Sequence, residues 1–331
     1  MTGLKAPMPW FGGKSRVAAE VWRRFGDVPN YCEPFFGSGA VLLGRPHVGG
    51  LETVNDINGW LCNFWRAIQA DPDGVAAYAD WPVSELDLHA RGDWLFYRPG
   101  VAEFVEKLRG DPDYYDVKSA GWWVWGQSCW IGSDWSVKTA KRRQLPQLGN
   151  AGEGVNRQLP HLIDAGKGVN RQRLHLGDAG TGVNRSPGTS LCVYFQALAD
   201  RLRRVRICCG DWSRVCTPAV TDGGHGLTGI FFDPPYGTDD RADCYGDHED
   251  RRVAGRVRDW CLEHAGDPLL RIALCGYEGE HDLPGWDCFV WKTRGGYANT
   301  RVNGVNDNGR RERIWFSPSC RREPGLFDSL E

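Results

Sequence analysis

The stretch NYCEPFFGSGAV, Asn30 to Val41, opens as a strand and closes as a glycine turn. Asn30 to Cys32 have strand character, and they run directly into a turn that carries Gly37 and Gly39. Glycine at such a turn lets a ligand come close to the backbone, because no Cβ stands in the way. Upstream, PMPWFGGKS (Pro7 to Ser15) reads as a loop leading into a helix with Val17, Val21 and Phe25 along one side. Downstream, Leu51 to Val54 form a second strand, followed at once by Asn55, Asp56, Ile57 and Asn58. A helix then faces Leu61, Phe64, Trp65 and Ile68 inward. Strand, glycine turn, helix, strand, acidic residue is the start of a βαβ sheet, so a Rossmann-like α/β fold is expected. The turn is neither G-x-G-x-x-G nor a Walker loop with its lysine.

Sheet character returns late in the chain. A helix over Leu191 to Arg203 precedes a strand from Val205 to Cys209, which ends at Gly210 and Asp211. A further strand, Gly229 to Phe232, ends at Asp233-Pro234-Pro235-Tyr236, and a helix over Arg251 to Leu262 places Val253, Val257 and Cys261 inward. Leu269 to Cys275, Cys288 to Trp291 and Ile314 to Phe316 read as the remaining strands. Residues 71–143 differ in character: they are rich in Trp, Tyr, Asp and Gly, with an aromatic run from Trp122 to Trp135. Three blocks of 14 residues follow, QLPQLGNAGEGVNR, QLPHLIDAGKGVNR and QRLHLGDAGTGVNR, from Gln144 to Arg185. Units that short cannot stand as independent helical or propeller repeats, so they read as an elaborated loop. The expected organisation is a catalytic α/β domain from residues 1–70 and 190–320, an inserted domain at 71–189, and a tail at 321–331.

Composition narrows the classes. At 331 residues with 41% hydrophobic, the chain can bury a core, which excludes an intrinsically disordered protein. No apolar run approaches the roughly 18–20 residues of a membrane span. Met1 to Trp10 lack the pattern of a signal peptide, and a cytoplasmic protein is expected. The twelve cysteines contain no C-x-x-C, which argues for buried thiols over zinc or disulfides. No metal is expected. Net charge is only -2, yet Ser136 to Arg206 hold 13 Lys and Arg against 4 Asp and Glu. A local cationic patch suffices for phosphate contacts, although a solvated basic face would look the same.

The chemistry-bearing residues sit at strand ends. In Asp233-Pro234-Pro235-Tyr236 two prolines fix φ and remove two N–H donors, leaving a rigid turn that offers only acceptors. An aryl amine that attacks a methyl group needs such acceptors, since its lone pair is delocalised until its N–H bonds are held. Tyr236 adds a flat face on which an extruded base can stack. An ordinary turn closing a strand is the bland alternative. Asp56 lies 19 residues after Gly37 at the next strand's end, where an α/β fold sets a carboxylate on ribose hydroxyls. Lys14, in Trp10-Phe11-Gly12-Gly13-Lys14, is placed to pair with the carboxylate of a bound amino-acid moiety, or stays solvated at a helix start.

Taken together and in order, W-x-G-G-K, E-P-F-x-G-x-G, D-I-N and D-P-P-Y resemble the Dam-like adenine-specific DNA methyltransferases, from Trp10 to about Pro318. The resemblance implies S-adenosyl-L-methionine as cofactor and transfer to N6 of adenine in double-stranded DNA. It gives Trp10 and Lys14 to the cofactor, with Pro34, Phe35, Gly37 and Gly39 around its methionine part. Asp56 would hold the ribose, Asp211 would lie near the adenine ring, and Asp233, Pro234, Pro235 and Tyr236 would form the catalytic motif. The insertion between Asp56 and Asp211 corresponds to target recognition. Within it, Lys138, Lys141, Arg142, Arg143, Arg157, Arg171 and Arg185 are the expected DNA contacts, mainly to the backbone. A monomer is expected, and a cognate restriction endonuclease is compatible with this class. Cytosine N4 poses the same electronic problem as adenine N6, and a catalytically silent DNA-binding descendant would keep the fold, so both remain alternatives. Where the family often carries N-x-x-x-x-N-G, this chain has WGQSCWIG (Trp125 to Gly132), so no target sequence carries over.

Overall fold

A computed structural model of the chain describes residues 4–10, 13–47, 50–130, 135, 183, 190–222, 224–236, 252–291 and 311–322. In chain order the described elements begin with α1 (Ala18–Phe25), β1 (Asn30–Glu33), the short α2 (Ala40–Leu43), β2 (Leu51–Asp56) and α3 (Gly59–Ala70). Four helices follow, α4 (Pro72–Ala79), α5 (Glu85–Tyr97), α6 (Val101–Gly110) and α7 (Val117–Cys129), and then α8 (Leu191–Leu202). The rest comprises β3 (Val205–Cys209), α9 (Pro218–Thr221), β4 (Thr228–Phe232), α10 (Val253–Glu263), β5 (Leu270–Tyr277), β6 (Asp287–Val290) and β7 (Glu312–Phe316).

The strands form one sheet in the order β3-β2-β1-β4-β5-β7-β6. Pairing is parallel from β3 through β5, while β7 runs antiparallel to both β5 and β6. The chain winds outward from β1 to β3, returns, and winds the other way from β4. The order therefore reverses between β1 and β4, and such a reversal leaves a crevice at the carboxyl ends of the strands.

Strand periodicity divides the core into two faces. Tyr31, Phe231, Ala273 and Cys275 point to one side, against α1, α3 and α8. Cys32, Ile230, Phe232, Ile272 and Leu274 point to the other, against Val253, Val257 and Cys261 of α10. Because both faces are covered, the central strands read as near-continuous apolar runs. Each fully buried Phe contributes about 1.5–3 kcal/mol.

Residues 71–130, which the sequence marks only by composition, form helices α4–α7. Three of them start on side-chain caps: Asp71 accepts from the Gly74 N–H, Ser84 from Asp87 and Asp116 from Ser119, while α6 opens on Gly100. In α7, nine of thirteen residues are buried on several sides, including Trp123, Trp125 and Gly126, so no 3.6-residue contrast shows. These helices share the core of α3 and α8. Two side chains of α3 tie them down. Asn63 exchanges two hydrogen bonds with the Asp116 backbone, and buried Arg66 donates to the carbonyls of Leu108, Asp111 and Ile207. Among the described residues no helix is long and apolar enough to cross a membrane.

Candidate active site

A pocket of about 850 Å³, open solvent at its mouth included, lies at the carboxyl ends of β1, β2, β3 and β4. The turn after β1 supplies one wall. Gly37 sits at φ +50° with its N–H donated to Asp56 Oδ2 at 3.0 Å, and a Cβ there would come within 2.7 Å of the Trp10 ring. Close approach and positive φ thus both require glycine at this position. Gly39, at φ +70°, does not line the pocket; it packs on Phe36 and Trp65 and opens α2. Trp10, Lys14, Pro34 and Phe35 all line the pocket.

Asp56 ends β2 on the floor of the crevice. Its Oδ1 accepts from the Asn58 N–H at 2.9 Å, and Asn58 in turn caps α3 by accepting from Trp60 and Leu61. Burial pushes the Asp56 carboxyl up to about 6, against the pull of those backbone N–H groups. Asn55, beside Asp56 and without a motif role, donates through Nδ2 to the carbonyls of Pro34 at 3.1 Å and Gly210 at 3.0 Å. One buried amide therefore joins the turns after β1 and β3, which flank the pocket. Its Oδ1 is buried without a hydrogen bond.

Asp211 lies on the rim, where its carboxylate accepts from the Ser213 N–H and sits 3.7 Å from Arg256. Beside it Trp212 faces Phe35, with ring centroids 6.3 Å apart and planes 26° from parallel. These two rings give the pocket an aromatic wall that neither motif had suggested for Trp212.

The opposite end of the pocket is ionic. Lys14 Nζ lies 2.8 Å from Asp233 Oδ2, donates to the Tyr236 hydroxyl at 3.1 Å and stands 4.0 Å from Glu312 Oε2. Burial would depress this ammonium, but the two carboxylates prevail and hold it well above the ordinary lysine value. The Tyr236 hydroxyl is 2.9 Å from Glu312 Oε2 and 3.1 Å from Asp233 Oδ1. Burial and the adjoining carboxylates push the phenol far up, so it remains protonated.

Two of these groups have partners that no motif indicated. Lys14 faces Asp233, Tyr236 and Glu312 among the described residues. Tyr236 is only 9% exposed, its ring set edge-on to Tyr277 at 4.6 Å, and its hydroxyl is the engaged part. Asp233 and Pro235 line the pocket, whereas Pro234 and Tyr236 do not. Glu312 had no motif to mark it. The basic residues Lys138, Lys141, Arg142, Arg143, Arg157, Arg171 and Arg185 lie outside the described residues.

The donor set is carboxylate, amide and aromatic at one end, and acceptor-rich at the other. A ribose, a flat heterocycle and an attacking amine fit those surfaces in that order. Residues 10–118 match the family model described as D12 class N6 adenine-specific DNA methyltransferase. The matched stretch carries Trp10, Lys14, the turn at Gly37 and Asp56, and stops before Asp233. The α/β sheet agrees with the Rossmann-like fold expected of such enzymes. No curated protein matches the chain.

Proposed function

We propose that this chain, an adenine-specific DNA methyltransferase of the D12 class, takes its methyl group from S-adenosyl-L-methionine and places it on an adenine turned out of the duplex. One observation carries the reading: Asp56 and Asp233 line the same pocket, at the ends of strands on either side of the topological reversal. When bound, S-adenosyl-L-methionine supplies a methyl group on a sulfonium sulfur, whose departure leaves a neutral thioether. Asp56 accepts the ribose hydroxyls, Phe35 and Trp212 hold the adenine ring beside Asp211, and Gly37 lets the methionine part lie against backbone. The unpaired Asn55 Oδ1 and the wall built from Trp10 to Pro34 suit a polar ligand of that length.

Asp233 works on the other reactant. Its carboxylate accepts an N–H of the target amine, localises the nitrogen lone pair, and gains strength as positive charge grows there. Tyr236 and Lys14 keep that carboxylate oriented. Extruding the base costs a few kcal/mol, which DNA contacts by the 71–189 insertion offset. In that role Lys138, Lys141, Arg142, Arg143, Arg157, Arg171 and Arg185 track the phosphate backbone.

The test is transfer of labelled methyl from S-adenosyl-L-methionine to plasmid DNA by wild type and by Asp233→Ala. Labelled DNA with wild type and none with the variant supports the reading. Labelling by both to within about threefold removes Asp233 from the chemistry.

A further inference from the structure

Glu312 lies on β7, directly opposite Tyr277 of β5, and is 6% exposed. A lone carboxylate at that depth is costly, and it is kept only where something holds it. Among the described residues two groups do: the Tyr236 hydroxyl at 2.9 Å and Lys14 Nζ at 4.0 Å. Both also touch Asp233, Lys14 at 2.8 Å and Tyr236 at 3.1 Å. Among the described residues the arrangement joins two carboxylates, one ammonium and one phenol.

A lysine facing Asp233 alone would form a tight pair of net charge zero. Such a pair competes with the target amine for the Asp233 oxygens, and it leaves no negative charge over for the nitrogen that becomes cationic. A second carboxylate relieves both problems. We propose that Glu312 is a positioning residue of the methyl-transfer site, sharing Lys14 and the Tyr236 hydroxyl with Asp233 so that the ammonium does not neutralise Asp233 alone. This rests on the functional reading given above for Asp233.

The surroundings are consistent with that role. Besides Lys14, Asp233 and Tyr236, the titratable groups near Glu312 among the described residues are Cys275 on β5, Glu280 in the turn after it, and Arg313, which donates to the Glu312 carbonyl and pairs with Glu278. Burial keeps Cys275 a thiol, and Glu280 accepts from the Tyr277 N–H. Burial lifts the Glu312 carboxyl above the ordinary range despite Lys14, so its charge is lost early on acidification.

Glu312→Gln keeps an acceptor for the Tyr236 hydroxyl and removes only the charge. Its kcat for methyl transfer from S-adenosyl-L-methionine to plasmid DNA should fall about tenfold or more, with KM for donor and DNA within about twofold of wild type. Wild-type kcat should rise with pH on the acid side as Glu312 ionises, and the Gln variant should lose that rise. Glu312→Asp, which restores the charge on a shorter arm, should recover part of the rate together with the rise. The proposal is overturned if Glu312→Gln keeps its kcat, or keeps the acid-side rise. It is also overturned if Gln and Asp variants lose rate, KM and thermal stability alike, which marks a purely structural residue. Wild type that methylates no DNA overturns the functional reading and this inference together. An active wild type with an equally active Glu312→Gln overturns this inference alone.

Discussion

Replacing Asp56 by Asn keeps the side chain's size, removes one charge, and should separate stability from binding. Burial raises the folded-state carboxyl from its ordinary 3.8 to about 6, so the folded protein holds this proton more firmly than the unfolded chain does. As pH rises from about 3.8 to about 6, the unfolded state has already released its proton, and stability falls across that window. The full shift corresponds to about 3 kcal/mol lost by neutral pH, less what solvent at the pocket mouth screens. Asn escapes that loss. Against it, the carboxylate accepts from Gly37 at 3.0 Å and Asn58 at 2.9 Å through separate oxygens, whereas an amide has one. An N–H left facing the amide nitrogen costs about 1–3 kcal/mol. The two effects nearly cancel, and the variant should melt within about 2 kcal/mol of wild type.

Binding has no such cancellation. Hydrogen bonds from ribose hydroxyls to an ionised carboxylate are worth about 1.5–3 kcal/mol, or roughly 10- to 150-fold in affinity. Titration calorimetry with S-adenosyl-L-methionine near pH 8 reads this directly. Below pH 6 wild-type affinity should decline toward that of the variant, whose own affinity should not follow pH. Equal affinities at pH 8, or a flat wild-type profile, would refute a ribose-binding Asp56.

Three further outcomes are expected. Asp233→Ala should reduce methyl transfer by more than about a hundredfold, near 3 kcal/mol in the transition state, while calorimetry still detects the donor and a gel shift still detects DNA. Asn55→Ala removes two hydrogen bonds and strands two buried carbonyls, so thermal unfolding should report a loss of about 2 kcal/mol and calorimetry a weaker donor. Changing Arg157, Arg171 and Arg185 together to Ala should flatten log affinity for DNA against log salt by roughly two to three units; an unchanged slope would show that they touch no phosphate.

How much of this was legible in the sequence follows from the range of the interactions. The α/β order, and the strand ends at Asp56 and Asp233, come from local runs of apolar residues, which the two-faced sheet requires. The cap at Asn58 and the positive φ of Gly37 are local too. Helix α7 was hidden because Trp123 and Trp125 are buried on more than one side, which erases the amphipathic stripe. Glu312 was hidden for a different reason: its partner Tyr236 is 76 residues away, and only the antiparallel return of β7 brings them together. Lys14 was legible as a site residue, but its distance of 2.8 Å to Asp233, across most of the chain, depends on the assembled fold.

The most direct measurement is mass spectrometry of the nucleosides from plasmid DNA incubated with the full chain and S-adenosyl-L-methionine. N6-methyldeoxyadenosine should appear with wild type and be absent with Asp233→Ala. N4-methyldeoxycytidine in its place, or no methylated nucleoside with wild type, would contradict a pocket that joins donor and adenine through Asp56 and Asp233.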